Sequence, residues 1–158
     1  MKKNIFYYCI LLFILSCGKK SKPDNNNNNI ANCNLSIETI QVNEIAYNIL
    51  KDTAYSTQNN TYYSEHRISD GHGYSIDFAG TSLPNNNTYT ITSSYSNVKS
   101  GTQNVYIQYY INSKTYVAQS GTLLVSGSAP NIQVEFCKIY FKESFGEEKT
   151  ISTKTALQ

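Results

Sequence analysis

From Leu35 onward, apolar and polar residues alternate with a period of two, the pattern of half-buried β-strands. Leu35/Ile37 and Ile40/Val42 precede a turn at Asn43-Glu44, and Ile45/Tyr47/Ile49 follow it, which predicts a first hairpin. Thr61 to Ile68 is the next strand; Asp70-Gly71 and Gly73 carry turn chemistry, and Tyr74/Ile76/Phe78 alternate after it. Leu83 to Asn87 is a polar turn before Tyr89/Ile91. Val105, Ile107, Tyr109 and Ile111 share one face of a long strand, with Tyr106, Gln108, Tyr110 and Asn112 on the other. Asn112-Ser113 turns the chain into one strand from Thr115 to Ser126, and Gly127 to Pro130 turns it into Ile132/Val134/Phe136. The phase then slips to Ile139/Phe141, which predicts a β-bulge at Cys137-Lys138, and Ile151 to Leu157 is the last strand.

Eight or nine short strands with no 3.6-residue stripe predict an all-β domain over residues 31–158. An antiparallel β-sandwich is the natural architecture, since each half-polar sheet must bury one face, and a β-barrel is the alternative.

The N-terminus reads differently. Lys2 and Lys3 precede an unbroken apolar run of 11 residues, Ile5 to Leu15. That is short of the roughly 20 residues a membrane-spanning helix needs, and it matches the apolar region of an export signal. The run ends Ile14-Leu15-Ser16-Cys17. This segment resembles the bacterial lipoprotein box. The resemblance implies a signal peptide over residues 1–16, cleavage after Ser16, and a diacylglyceryl thioether plus an acylated N-terminus at Cys17. Such acyl chains anchor a protein to a membrane without spanning it. Residues 17–30 then form the lipidated cysteine and a linker; GKKSKPDNNNNN, from Gly18 to Asn29, has no side chain with which to build a core.

Charge follows from this division. The chain carries 13 basic and 11 acidic side chains, but from residue 30 onward the balance is 8 against 10. A near-neutral domain excludes a nucleic-acid footprint. Of four cysteines, Cys9 leaves with the signal and Cys17 takes lipid, so Cys33 and Cys137 remain in an oxidising compartment. They form either a disulfide or two half-buried thiols.

GYSIDFAGTSLPNNNTYTIT and YVAQSGTLLVSGSAPNIQVEFCKIYF, together with the anchor, resemble the small Asn- and Tyr-rich lipoproteins of the phylum Bacteroidota. The resemblance implies an outer-membrane address and an all-β fold, and it brings no catalytic residues. Surface-exported members tend to carry acidic residues after the lipidated cysteine. Here Lys19, Lys20 and Lys22 stand there with a single Asp24, so surface and periplasmic orientations both stay open.

Candidate chemistry is sparse. His66 and His72, with Glu65 and Asp70, are weak metal-ligand candidates, because Glu65 and His66 face opposite ways on a strand and the spacing fits no metal motif. No nucleophile elbow, phosphate-binding glycine loop or marked carboxylate pair supports an enzyme, and Glu143, Glu147 and Glu148 read as a solvated loop. No cofactor is expected. Tyr106 and Tyr110 lie on the polar face of their strand and form a candidate binding face, with Tyr62, Tyr63, Tyr95 and Tyr116 as candidate neighbours. Exposed tyrosine suits glycan rings or protein partners. Asp52-Thr53-Ala54 resembles the short O-glycosylation site of exported Bacteroidota proteins, which implies a sugar on Thr53, in a loop. The expected role is a noncatalytic binding or accessory module of the cell envelope, tethered by lipid and contacting a glycan or an envelope protein. A structural subunit of an envelope complex and a small envelope hydrolase are the alternatives.

Overall fold

The computed structural model describes residues 33–57 and 59–157. The signal segment, Cys17 and the linker lie outside the described residues. Eleven strands follow in order: β1 Thr39–Val42, β2 Ile45–Asn48, β3 Lys51–Ser56, β4 Thr61–Ser69, β5 His72–Ala79, β6 Asn87–Thr92, β7 Asn104–Ile111, β8 Lys114–Ala118, β9 Ser120–Ser128, β10 Asn131–Glu143 and β11 Glu148–Leu157. A single 3-10 turn at Tyr95–Asn97 is the only helical element among the described residues.

The strands pair in the order β2-β1-β11-β10-β9-β6-β7-β5-β4-β3, with β8 joined to both β7 and β10. This one sheet is folded over on itself. Tyr74 on β5 bonds Thr153 on β11 (3.1 Å) and meets the Phe136 ring of β10 edge-on (6.3 Å), although three strands separate β5 from β10 in the pairing order. Such contacts need the two halves of the sheet to lie face to face, so the all-β architecture is a sandwich. The chain changes layer within two residues: the Ile49 N–H donates to Glu38, and the next N–H, of Leu50, donates to Arg67. The ends of the pairing order, β2 and β3, are not paired to each other, so the sheet does not close into a barrel.

The alternation seen in the sequence drives this arrangement. Ile76, Phe78, Ile107, Leu123, Val134 and Phe141 all point into one core and are almost wholly buried. Each such side chain contributes about 1.5–3 kcal/mol on leaving water. The Asn43-Glu44 turn places both residues at positive φ (47° and 71°), the geometry of a two-residue hairpin turn whose twist matches its strands. The bulge falls between Phe136 and Ile139, with Lys138 at φ 50° and its N–H donating to Ser152 Oγ (2.7 Å).

Four expectations are corrected. There are eleven strands, not eight or nine. β3 is absent from the periodic reading because its inward residues are Asp52 and Ala54, so no apolar alternation marks it. The strand expected from Thr115 to Ser126 breaks at Gln119: β8 pairs β7, whereas β9 pairs β6, and one straight strand cannot serve both. At the start of β9, Gly121 stands where an added Cβ would collide with Ile139. The sheet is mixed rather than antiparallel throughout, because β6 and β7 run parallel, joined by residues 93–103. Leu35 and Ile37 precede β1 rather than belonging to a strand.

Candidate functional site

The outer face of β3, β4, β5 and β7 is paved with tyrosine. Register lines up Tyr55, Tyr63, Asp77 and Tyr106 across the four strands, and Arg67, Gly73 and Tyr110 two pleats away. The central strand carries small residues outward, Gly73, Ser75 and Asp77, and its neighbours carry long ones. The rings therefore fold over β5 and cover it: Ser75 is 4% and Asp77 6% exposed although both point away from the core. Tyr110 lies across Gly73, where an added Cβ would sit 2.6 Å from its hydroxyl oxygen. Tyr95, on the 3-10 turn, stands perpendicular to Tyr106 with ring centroids 5.7 Å apart, and Tyr55 lies 5.1 Å from Tyr63.

Two carboxyls sit in this paving and are tuned in opposite directions. Burial pushes Glu65 up, but hydrogen bonds from Tyr110 (2.7 Å) and Arg67 (3.1 Å) outweigh it and hold the carboxyl below its usual range. Asp77 is pushed up to about 6 by burial, against a lowering hydrogen bond from Thr61 (3.5 Å). Thr61 in turn contacts the Tyr95 hydroxyl (3.3 Å). Burial, then the nearby Glu65 charge, raises the Tyr63 phenol to about 12. Burial raises Tyr106 and Tyr110 as well.

The expected neighbours of Tyr106 and Tyr110 divide. Tyr63 and Tyr95 join them, but Tyr62 and Tyr116 point into the core, 7% and 1% exposed. Tyr55 joins the face from the strand that the periodicity did not reveal. Asp77 was visible only as a polar position in an alternating strand; its burial depends on rings from both neighbouring strands.

The structure gives each histidine other partners. His66 is wholly buried, its Nδ1 against Asp52 Oδ1 and its Nε2 2.7 Å from Ser64 Oγ, with Tyr74 stacked on the ring (4.6 Å). His72 Nε2 meets the Tyr109 hydroxyl at 2.8 Å. Among the described residues, neither belongs to a group of three His, Cys, Asp or Glu with converging ligand atoms. Asp52, His66 and Ser64 have the residue types of a nucleophilic triad, yet Ser64 is 1% exposed and meets core atoms rather than solvent. This line of hydrogen bonds satisfies buried polar groups, as a low-dielectric interior requires.

Cys33 and Cys137 are joined by a disulfide, their Cα atoms 5.4 Å apart. Thr53 is exposed, but it lies on β3 rather than in a loop, beside Glu65 at the margin of the tyrosine face. Glu143 is likewise corrected: it is 6% exposed and accepts from Ser144 Oγ (2.8 Å) and the Phe145 N–H (2.7 Å), closing the β10–β11 hairpin. Glu147 stays exposed and pairs with Lys114 and Lys149. Set against known protein families, curated proteins and solved structures, the chain matches none of them.

Proposed function

We propose that this chain is a lipid-anchored, noncatalytic binding module of the bacterial outer membrane, of the Bacteroidota lipoprotein type, whose outer β4-β5-β7 face engages the ligand. The Ile14–Cys17 box and the Asn-rich linker support the anchor. The observation that carries the binding role is the tyrosine paving, Tyr55, Tyr63, Tyr95, Tyr106 and Tyr110 on one face around two carboxyls. Tyrosine offers a large rigid contact at low entropic cost, with a hydroxyl that hydrogen-bonds at the rim. A core alone requires no such row of aromatics on the side away from it.

The test is binding of the full chain to an array of envelope polysaccharides and peptides, with product analysis of every binder. Saturable binding without turnover, lost in a Tyr63→Ala/Tyr106→Ala variant, is the expected result. Equal binding by that variant overturns the assignment of the face. Protease shaving of intact cells, with a periplasmic protein as leakage control, reads the orientation: loss of the domain places the face outside the cell, and protection turns the ligand search to the periplasm.

A small hydrolase is the second reading, favoured by one observation. Glu65 is held ionised and Asp77 toward its protonated form on the same face, the kind of split that acid–base pairs use. Turnover abolished by Asp77→Asn would install this reading in place of the first. The open groove of about 330 Å3 between the Leu83–Asn86 turn and the β9–β10 hairpin is lined by no titratable side chain, so it offers the hydrolase no alternative site.

A further inference from the structure

We infer that the tyrosine cluster over Asp77 binds a primary ammonium group on an aliphatic stem. The inference rests on the binding role of this face and names the chemistry it selects.

Asp77 is 6% exposed and lies cross-strand between Tyr63 and Tyr106. An ionised carboxylate offers about four acceptor positions. Asp77 has the Thr61 hydroxyl at 3.5 Å, the far limit of a hydrogen bond. Among the described residues no ion pair joins it to a cation. A carboxylate in this state gains most from a ligand that brings positive charge and N–H donors together.

The rings supply the rest. The perpendicular pair Tyr95 and Tyr106 makes two walls at a corner, and Tyr63 flanks Asp77 on the opposite strand. Their π-faces are electron-rich and attract a cation within about 6 Å of the ring centroid. A sugar would stack on the same rings, but its hydroxyls do not neutralise a buried carboxylate. A guanidinium is planar and broad, whereas an ammonium is compact and suits a residue that is 6% exposed. A quaternary ammonium would use the rings but has no N–H for Asp77.

Acidity sets the window. Asp77 titrates near 6, and an alkylammonium holds its proton to about pH 10. The groups facing Asp77 are Thr61, Tyr63 and Glu65 of β4, Tyr106 and Gln108 of β7, and Tyr95 of the 3-10 turn. Glu65 is already paired to Arg67 and Tyr110, so Asp77 carries the pH dependence.

The test is a titration of the full chain with Nα-acetyl-lysine amide, read by the tyrosine ring signals in NMR. The Nα-acetyl-norleucine amide serves as neutral control, and glucosamine, whose ammonium sits directly on a ring carbon, tests the need for an aliphatic stem. At pH 7.5, saturable shifts of Tyr63, Tyr95 and Tyr106 with the lysine derivative, and none with the control, support the proposal; glucosamine binding as tightly as the lysine derivative overturns the aliphatic stem. Affinity should fall at least about tenfold in Asp77→Asn and again below pH 5. Tyr95→Ala, an exposed ring, should weaken it several-fold by an independent route. Equal binding of norleucine amide, equal binding by Asp77→Asn, tetramethylammonium matching the lysine derivative, or no saturable shift with any amine overturns it. Ligands from the array that depend on Tyr63 and Tyr106 but not on Asp77 would leave the binding face standing and remove only the ammonium.

Discussion

Replacing Asp77 with Asn is expected to stabilise the protein at neutral pH. Folding takes this carboxyl from water into a site covered by Tyr63 and Tyr106, which moves its pKa from an ordinary 3.8 to about 6. Two units at 1.36 kcal/mol each set a ceiling of about 3 kcal/mol, and an amide, which carries a burial cost of its own, recovers only part of it. The sign is fixed by linkage. The folded pKa lies above the unfolded one, so Asp77 favours the native state fully only below about pH 4 and loses that contribution as pH rises through about 6. Urea unfolding at pH 8 and pH 4, disulfide intact, measures it; tyrosine fluorescence serves as the probe because the chain has no Trp. The Asn variant should unfold at higher urea at pH 8, with the gap closing by pH 4. A variant that is less stable at pH 8, or a gap unchanged at pH 4, refutes the argument that burial strains this carboxylate. A stabilising substitution that also abolishes ligand binding is the pattern of a site that trades stability for function.

The Cys33–Cys137 disulfide joins positions 104 residues apart. Cys33→Ser/Cys137→Ser should lower the unfolding free energy by up to about 4.7 kcal/mol, read from urea midpoints; an unchanged midpoint would show that the unfolded chain is not constrained by it. Gly73→Ala should destabilise by at least about 2 kcal/mol, because the new methyl meets the His66 carbonyl on one side and the Tyr110 hydroxyl on the other. The same variant should release Tyr110 from Glu65, seen as a fall in the Tyr110 phenol pKa by NMR titration; an undisturbed Tyr110 would mean that the ring does not rest on Gly73.

Much of the layout was legible in the sequence because strand periodicity is local. Tyr74/Ile76/Phe78 and Val105/Ile107/Tyr109 announce both a strand and the face it buries, and Asn43-Glu44 and Asp70-Gly71 announce turns through their backbone preferences. The reading failed where the inward residues carry little apolar bulk, as on β3, where Asp52 joins the His66 network and Ala54 packs against the core with a single methyl. It failed again where one apolar run serves two partners, as between β8 and β9. Tyr62 and Tyr63 show the limit most sharply: adjacent residues of one type, one in the core and one on the tyrosine face, separated only by the pleat.

Alternation along the chain thus settles which residues share a face and where the chain turns, since both depend on neighbours two to four positions away. Which strands meet is a different matter. The pairing of β1 with β11, the parallel step from β6 to β7, the approach of Cys33 to Cys137, and the burial of Asp77 beneath rings of two other strands all join residues remote in sequence. A period of two records that a face is buried but carries no information about what buries it. That selection belongs to the folded-over sheet, in which only one set of facing surfaces fills the core and satisfies the buried polar groups together.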